Sequence, residues 1–328
     1  MITSIKNLPK ELKKKRIGEK YCIITDSTVA RLYSKKILKI LRENGIEAEV
    51  IHFSEGEKNK TLKSVENLAS QMIQKKFTRK DAIISLGGGV VGDIAGFLAS
   101  IYMRGVPCIQ VPTTLLAMSD SAIGGKTGVD LPEGKNLIGT IVQPKLIIID
   151  VEFLKTLPKK QIRNGLAEII KCAVIADEKL FKFIEQNMED ILSLKEKQIK
   201  HIIKRAVVIK TEIVEKDEKE KNLRMILNYG HSFGHVLEKL SEYTLLHGHA
   251  ISIGMVLANK IAVEKGFLKK PDAERIKNLL IKAGLPVSTM KKLTINDLQN
   301  DKKTEKAHIN LILPTGIGSV VIHKEKCP

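Results

Sequence analysis

Over the first 151 positions, short apolar runs alternate with stretches of helical spacing. YCIITD (21–26) reads as a strand, with a helix following through about Asn44. EAEVIHF (47–53) is the next strand, a helix spans Leu62 to Lys75, and AIISLG (82–87) is the third strand. A glycine turn and another helix come next, then strands at PCIQVPT (107–113) and KLIIIDV (145–151). Alternation of this kind predicts a parallel sheet with helices on both faces. From Gly165 onward the spacing is helical, beginning with Leu166, Ile169, Ile170, Ala173 and Val174. Similar stretches cover 177–193, 196–216, 232–242, 250–264 and 271–283, and a small extended piece is expected at HINLILPT and GSVVIH. The predicted fold class is therefore α/β plus α. It comprises a Rossmann-like parallel-sheet domain over 1–151 and a mainly helical domain over 152–328.

Composition narrows the function classes. Lys and Arg number 55 against 37 Asp and Glu, a formal charge of +18. Such an excess suits nucleic acid, a membrane surface or an acidic small substrate. The lysines are dispersed, however, and aromatic residues make up only 4% with no Trp, so base-stacking platforms are scarce. No apolar run reaches the roughly 18 residues of a membrane span, and the first 20 residues lack the apolar middle of a signal peptide. The expectation is a cytoplasmic protein with no nucleic-acid or membrane partner. The four cysteines are far apart and form neither a zinc knuckle nor a disulfide framework.

Several phrases carry candidate chemistry. GGGVVG (87–92) follows a strand and opens a helix, a turn through which backbone N–H groups can approach a pyrophosphate. Read alone it also fits a tight strand–helix turn with no ligand. It also lacks the acid usually found about 20 residues later, since the next acidic residue after Asp93 is Asp120. IGGKTGVD (123–130) lacks the first glycine of a phosphate loop but lets backbone pack around a charged ligand, and a lysine buried at Lys126 would need an anion. Glu168, His231 and His247 stand in NGLAEIIK, LNYGHSFGH and LHGHA. A carboxylate and two imidazoles suit an open metal site, with one position left for water or a substrate oxygen. The bland alternatives are a surface Glu168–Lys171 pair and structural histidines. His235 lies four residues after His231, hence on the same face of a helix.

Taken together, GGGVVGDIAGFLASIYMRG, VPTTLLAMSDSAIGGKTGVD, GKNLIG, FLKTLP, NGLAEIIK, LRMILNYGHSFGHVLE and LHGHAISIGM resemble 3-dehydroquinate synthase, in order, from about Asp26 to Lys303. The resemblance implies a homodimeric enzyme using NAD and one divalent metal, zinc or cobalt. It would convert 3-deoxy-D-arabino-heptulosonate 7-phosphate to 3-dehydroquinate and phosphate, in the shikimate pathway. By similarity Glu168, His231 and His247 hold the metal. Asp26, Glu57, Lys60, Gly89, Val90, Val91, Gly92, Asp93, Thr113, Thr114, Lys135, Phe153, Leu154, Lys155 and Thr156 contact the cofactor. Lys126, Asn136, Lys210, Arg224, Asn228 and Lys302 contact substrate. Lys171, His235, Asp120 and Glu220 are catalytic, and Arg104 reaches the neighbouring subunit's site. Relatives often carry Glu where this chain has His249, which places a third histidine near the expected metal.

The implied chemistry is oxidation, phosphate elimination, reduction, ring opening and aldol closure, with NAD leaving as it came. It needs a Lewis acid at the alcohol oxygen and cations around phosphate and carboxylate. The nearest alternative is another sugar-phosphate cyclase such as 2-deoxy-scyllo-inosose synthase, whose substrate lacks the carboxylate. Lys210 together with Arg224 favours the carboxylated substrate.

Overall fold

The apolar runs become the strands β1 (Tyr21–Asp26), β2 (Ala48–Phe53), β3 (Ala82–Gly87) and β4 (Cys108–Pro112). The computed structural model describes all residues except 219, 221, 290–292, 294–307, 327 and 328. The chain divides into two units, Met1–Leu157 and Pro158–Pro328.

In the first unit a hairpin of β5 (Lys126–Leu131) and β6 (Gly134–Ile141) precedes a short β7 (Leu146–Ile147). The main sheet has the order β2-β1-β3-β4-β7 and every pairing in it is parallel. Parallel strands must be covered on both faces, and β1 and β3 are buried almost throughout. Cys22, Ile24 and Ile83 share one core cluster with Val65, Leu68 and Met72 of helix Leu62–Gln74 and with Ile94, Ala95 and Leu98 of helix Gly89–Ile101. The chain leaves β1 toward β2 on one side and continues to β3 on the other. The carboxyl ends of β1 and β3 therefore flank a switch point, where open α/β sheets leave a crevice for ligands.

The expected strand at 145–151 shrinks to two residues, and Val151–Thr156 is a 3-10 turn. The β5–β6 hairpin was not anticipated, because glycines interrupt its alternation. Those glycines serve packing. A Cβ on Gly96 would overlap Thr127, and one on Gly128 or Gly139 would overlap the facing strand, so the hairpin lies directly on helix Gly89–Ile101. Lys126 at the start of β5 is exposed, which corrects the expectation of a buried lysine there. Cys22 and Cys108 are buried, and burial pushes both thiols up to about 12.

The second unit is built around helix Lys159–Ala176, in which 164–175 are all buried. Helices Glu178–Gln186, Met188–Leu192 and Glu196–Lys216 follow, so the expected helix over 177–193 breaks at Asn187. Asp177 caps the first of these through Leu180 N at 2.9 Å and takes Arg205 Nη2 at 2.6 Å. Helices His231–Leu240, His247–Glu264 and Lys270–Lys282 come next, and the C-terminal extended piece is the hairpin β8 (His308–Gly316) and β9 (Ser319–Lys326).

Glycine contacts bring three of these helices together. Gly230, at φ +79°, starts the His231 helix, and a Cβ on Gly254 of the His247 helix would overlap the Gly230 carbonyl. A Cβ on Gly248 would overlap Asn164 O of the Glu168 helix, and Asn164 Oδ1 accepts from Gly248 N at 2.6 Å. No described helix is long and apolar enough to cross a membrane.

Gly254→Ala should destabilise the protein by at least about 1–3 kcal/mol, because backbone rather than a flexible side chain must yield. Gly45→Asn, at φ +67° with open space around it, is the control. Urea denaturation checks both, and a near-neutral Gly254→Ala would contradict the close helix approach.

Candidate active site

The Glu168 side chain lies within the most buried helix, and the residue is 1% exposed. His231 is the first residue of its helix and His247 the first of another. One ligand atom from each of Glu168, His231 and His247 falls within 4.8 Å of the others. His231 Nε2 is 3.6 Å and His247 Nε2 3.3 Å from Glu168 Oε1. Lys171, one turn along and 2% exposed, contacts Glu168 Oε2.

The other nitrogen of each imidazole is already engaged. His231 Nδ1 lies 3.2 Å from the Tyr229 carbonyl oxygen, and His247 Nδ1 lies 3.3 Å from Glu238 Oε2. Tyr229 is itself fully buried and donates its hydroxyl to Asn259 Oδ1 at 2.5 Å. When one ring nitrogen donates outward, the other is left as a lone pair directed inward, the usual arrangement around a bound metal.

Electrostatics hold Glu168 and His231 in the forms that bind a cation. Burial opposes ionisation of Glu168, but Lys171 and His247 outweigh it and hold its carboxyl down at about 2. Burial, reinforced by Lys171, drives the His231 pKa well below the ordinary imidazole value, favouring the neutral ligand form. Burial alone would lower His247 too, yet Glu168 and Glu238 raise it to about 10, so without a cation both of its nitrogens are protonated and metal binding would displace the proton on Nε2. Both Glu168 oxygens are buried without a hydrogen bond of normal geometry. A carboxylate in that condition, facing two imidazole nitrogens, fits a divalent cation.

His235 belongs to the histidine cluster, its ring 5.4 Å from His231 and 6.4 Å from His247, outside the triad of ligand atoms. His249 is two residues past His247, hence on another side of the helix, and forms no part of the triad. Lys210 and Arg224 are buried cations at 7% and 2% exposure. Arg224 donates to Glu218 O at 2.6 Å, and Asp217 Oδ2 accepts from Arg224 N at 3.0 Å. Glu220 Oε1 accepts from Asn228 Nδ2 at 2.8 Å. Asp217, Glu218 and Glu220 of the charged stretch therefore meet the turn Leu223–Asn228. Lys302 lies outside the described residues.

In the first unit several of the residues expected at the cofactor gather at the carboxyl ends of β1, β3 and β4. Asp26 ends β1, and its Oδ1 accepts from Val29 N at 2.8 Å. Gly88 caps the helix carrying Gly89, Val90, Val91, Gly92 and Asp93. Thr113 follows β4 and donates its N–H to Gly87 O at 2.9 Å, while Thr114 Oγ1 accepts from Ala117 N. Asp120 sits in the turn Ala117–Ser121. Side chains added at Gly88 or Gly89 would press on Thr114 or Ser121, so the turn presents bare backbone at the switch point. Phe153 and Leu154 are core side chains at 3% and 1% exposure, Lys155 pairs with Glu152 at 2.8 Å, and Thr156 contacts Tyr33. Arg104 is exposed, with left-handed backbone at both Met103 and Arg104.

Lys60 has a place that sequence reasoning did not foresee. It is 3% exposed, and its ammonium reaches Asp93 Oδ2 at 2.5 Å and also Asn136 Oδ1. Its carbonyl accepts from Asp130 N at 2.8 Å, and Glu57 meets Lys135 at 3.4 Å. Burial works against this ammonium, but Asp93, Glu57 and Asp130 outweigh it and hold its pKa above the ordinary lysine value. Lys60 thus ties the glycine-turn helix to the β5–β6 hairpin. Glu238, Tyr229, Asn164 and Asn259 were also missed. Only Glu238 left a trace, standing two helical turns after His231 on the same face.

Comparison with known proteins agrees in both halves. The 3-dehydroquinate synthase N-terminal family matches residues 50–164 and the 3-dehydroquinate synthase C-terminal family residues 165–304. A 3-dehydroquinate synthase of Prochlorococcus marinus is 48% identical over 313 residues, covering 94% of this chain and 85% of that protein.

The chain belongs to the 3-dehydroquinate synthase family.

Family members extend to Caldanaerobacter subterraneus, whose 3-dehydroquinate synthase is 44% identical over 95% of this chain and 88% of its own length. Among solved structures, a 2-epi-5-epi-valiolone synthase from Streptomyces hygroscopicus with NAD+ and Zn2+ bound is 31% identical. Its TM-score is 0.87, with 94% of this chain and 87% of that one covered. A 2-deoxy-scyllo-inosose synthase complexed with carbaglucose-6-phosphate, NAD+ and Co2+ is 28% identical, with a TM-score of 0.88 over 97% and 91% of the two chains. Two iron-containing alcohol dehydrogenases, 15% and 16% identical, and a probable glycerol dehydrogenase from Sinorhizobium meliloti, 13% identical, each at a TM-score of 0.65, share the fold alone.

Lys60→Met should cost about 2–4 kcal/mol in urea unfolding. That is less than the full penalty for orphaning a fully buried charge, because the Asp93 side chain keeps 22% exposure. A loss within experimental error would show that the Lys60–Asp93 pair does not support the hairpin.

Proposed function

We propose that this chain is a 3-dehydroquinate synthase, converting 3-deoxy-D-arabino-heptulosonate 7-phosphate to 3-dehydroquinate and phosphate. The observation that carries the reading is the convergence of Glu168, His231 and His247 on one point in a chain that matches this family along almost all its length. Unit 1 is assigned the nicotinamide cofactor and unit 2 the metal and most of the substrate contacts. Zinc or cobalt suits the ligand set, one carboxylate and two imidazoles.

When bound, the cofactor would take and return a hydride at an alcohol carbon, and the divalent cation would polarise that carbon's oxygen. The remaining work falls to side chains of this chain. Glu168, His231 and His247 would hold the cation through atoms already directed inward. Gly89 to Asp93, with Thr113 and Thr114, would offer backbone N–H groups and hydroxyls to the pyrophosphate and nicotinamide halves. Lys210, Arg224, Lys126 and Lys302 would neutralise the substrate phosphate and carboxylate, with Asn136 and Asn228 fixing hydroxyls. His235, beside the triad, and Lys171, against Glu168, are the candidates for moving protons at the alcohol oxygens. Asp120 and Glu220 are assigned orienting roles. Leaving phosphate can itself accept the proton lost during elimination, so a strong protein base is not required.

The reading includes a homodimer in which Arg104 serves the neighbouring site. It is supported by the exposed setting of Arg104 beside Ile101 and Met103, each 47% exposed. A cytoplasmic location goes with this small-molecule chemistry.

The deciding assay is phosphate release from the heptulosonate phosphate. Release should require both NAD and a divalent metal, should stop with a chelator, and should return with zinc or cobalt. Turnover in metal-stripped protein would overturn the reading. Lys210→Ala should reduce kcat/KM by about 10–100-fold, the worth of one charge-assisted hydrogen bond, with the melting temperature little changed. Full activity in that variant would remove the argument for a carboxylated substrate and reopen the 2-deoxy-scyllo-inosose synthase alternative.

A further inference from the structure

Glu238 is a buried acid, 4% exposed, on the same helix as His231. The His247 ring spans the space between two carboxylates: Nδ1 is 3.3 Å from Glu238 Oε2, and Nε2 is 3.3 Å from Glu168 Oε1. His231 is held differently, with a neutral carbonyl oxygen on Nδ1. The two imidazoles therefore differ in what stands behind them. On the far side of Glu168, the Lys171 ammonium contacts Oε2. A divalent cation entering the triad shares its only carboxylate with that lysine. The triad alone supplies one negative charge, and Lys171 cancels it. Glu238 restores a negative charge from the opposite side, through the His247 ring.

We propose that Glu238 is a positioning residue that sets how tightly this site holds its metal. It fixes His247 with Nε2 facing the cation, and its charge offsets that of Lys171. The inference rests on the metal reading of Glu168, His231 and His247, and it extends to a residue outside that triad. Carboxylates behind a metal-bound imidazole commonly govern affinity by about 10–100-fold.

The test is zinc affinity of metal-stripped protein, measured by competition with a chromophoric chelator, with the visible spectrum of the cobalt-loaded protein as a second readout. Wild type is compared with Glu238→Gln, Glu238→Ala, His247→Ala and the double variant Glu238→Gln/Lys171→Met. Glu238→Ala should bind zinc about 10–100-fold more weakly and shift the cobalt spectrum. Glu238→Gln keeps an acceptor for Nδ1–H but loses the charge, so it should weaken binding with the cobalt spectrum preserved. Adding Lys171→Met should recover part of that loss, which a merely structural role for Glu238 would not produce. Being nearly isosteric, Glu238→Gln still tests the idea if the alanine variant does not fold. Wild-type affinity in the Glu238 variants alongside a weakened His247→Ala would overturn the role of Glu238 and leave the metal site standing. Equal affinity in wild type and His247→Ala would instead overturn the metal reading, and this inference with it.

Discussion

The second unit is organised around one buried charge. Glu168 lies on a helix whose residues 164–175 are all buried, where an isolated carboxylate would be costly to keep ionised. Lys171 at Oε2 and His247 at Oε1 hold it ionised, and His231 approaches the same oxygen as His247. Partnered in this way, the carboxylate becomes a point to which three helices must converge. Placing those partners takes backbone, and the backbone can come close only where side chains are missing. Gly248 against Asn164, and Gly254 against Gly230, are those places. Charge compensation and glycine packing are therefore two sides of one constraint.

The first unit meets a similar requirement with the opposite sign. Lys60 is a buried cation, and Asp93 and Asn136 receive it. The consequence is architectural. The helix that opens at the glycine turn and the hairpin that carries Lys126 and Asn136 share one ammonium. Sequence similarity assigned Lys60 to the cofactor and Asn136 to the substrate as separate contacts. In the structure they are members of one network, so a change at either would be felt by the other.

The alternation of short apolar runs with stretches of helical spacing was enough to find the parallel sheet. β1 and β3 are short runs buried on both faces, the form that stands out most clearly in a chain. The helices of the second unit were legible because long amphipathic segments keep their period, although the break at Asn187, the first turns from Lys159 and His247 and the 3-10 turn Leu223–Asn228 were missed. The β5–β6 hairpin escaped because Gly128, Gly134 and Gly139 interrupt the alternation along both strands. Gly128 and Gly139 face each other and let the two strands pair closely, while Gly96 lets the hairpin lie on the helix, and both needs exist only once the elements are in place. The exposure of Lys126 and the burial of Lys60 could not be told apart in advance, because both are lysines near glycine-containing turns.

By itself the sequence determined the fold class, the main parallel strands and most helices, and the family, because periodicity and long phrases are local properties of the chain. It also named Glu168, His231 and His247 as a set. That they meet within 4.8 Å was decided by tertiary structure, since they are separated by 63 and 16 residues and come together through helix crossings. Tertiary structure alone likewise placed Glu238 behind His247 and Lys60 between Asp93 and Asn136. Partners of buried charges are chosen by proximity in space, and a one-dimensional pattern does not record that distance.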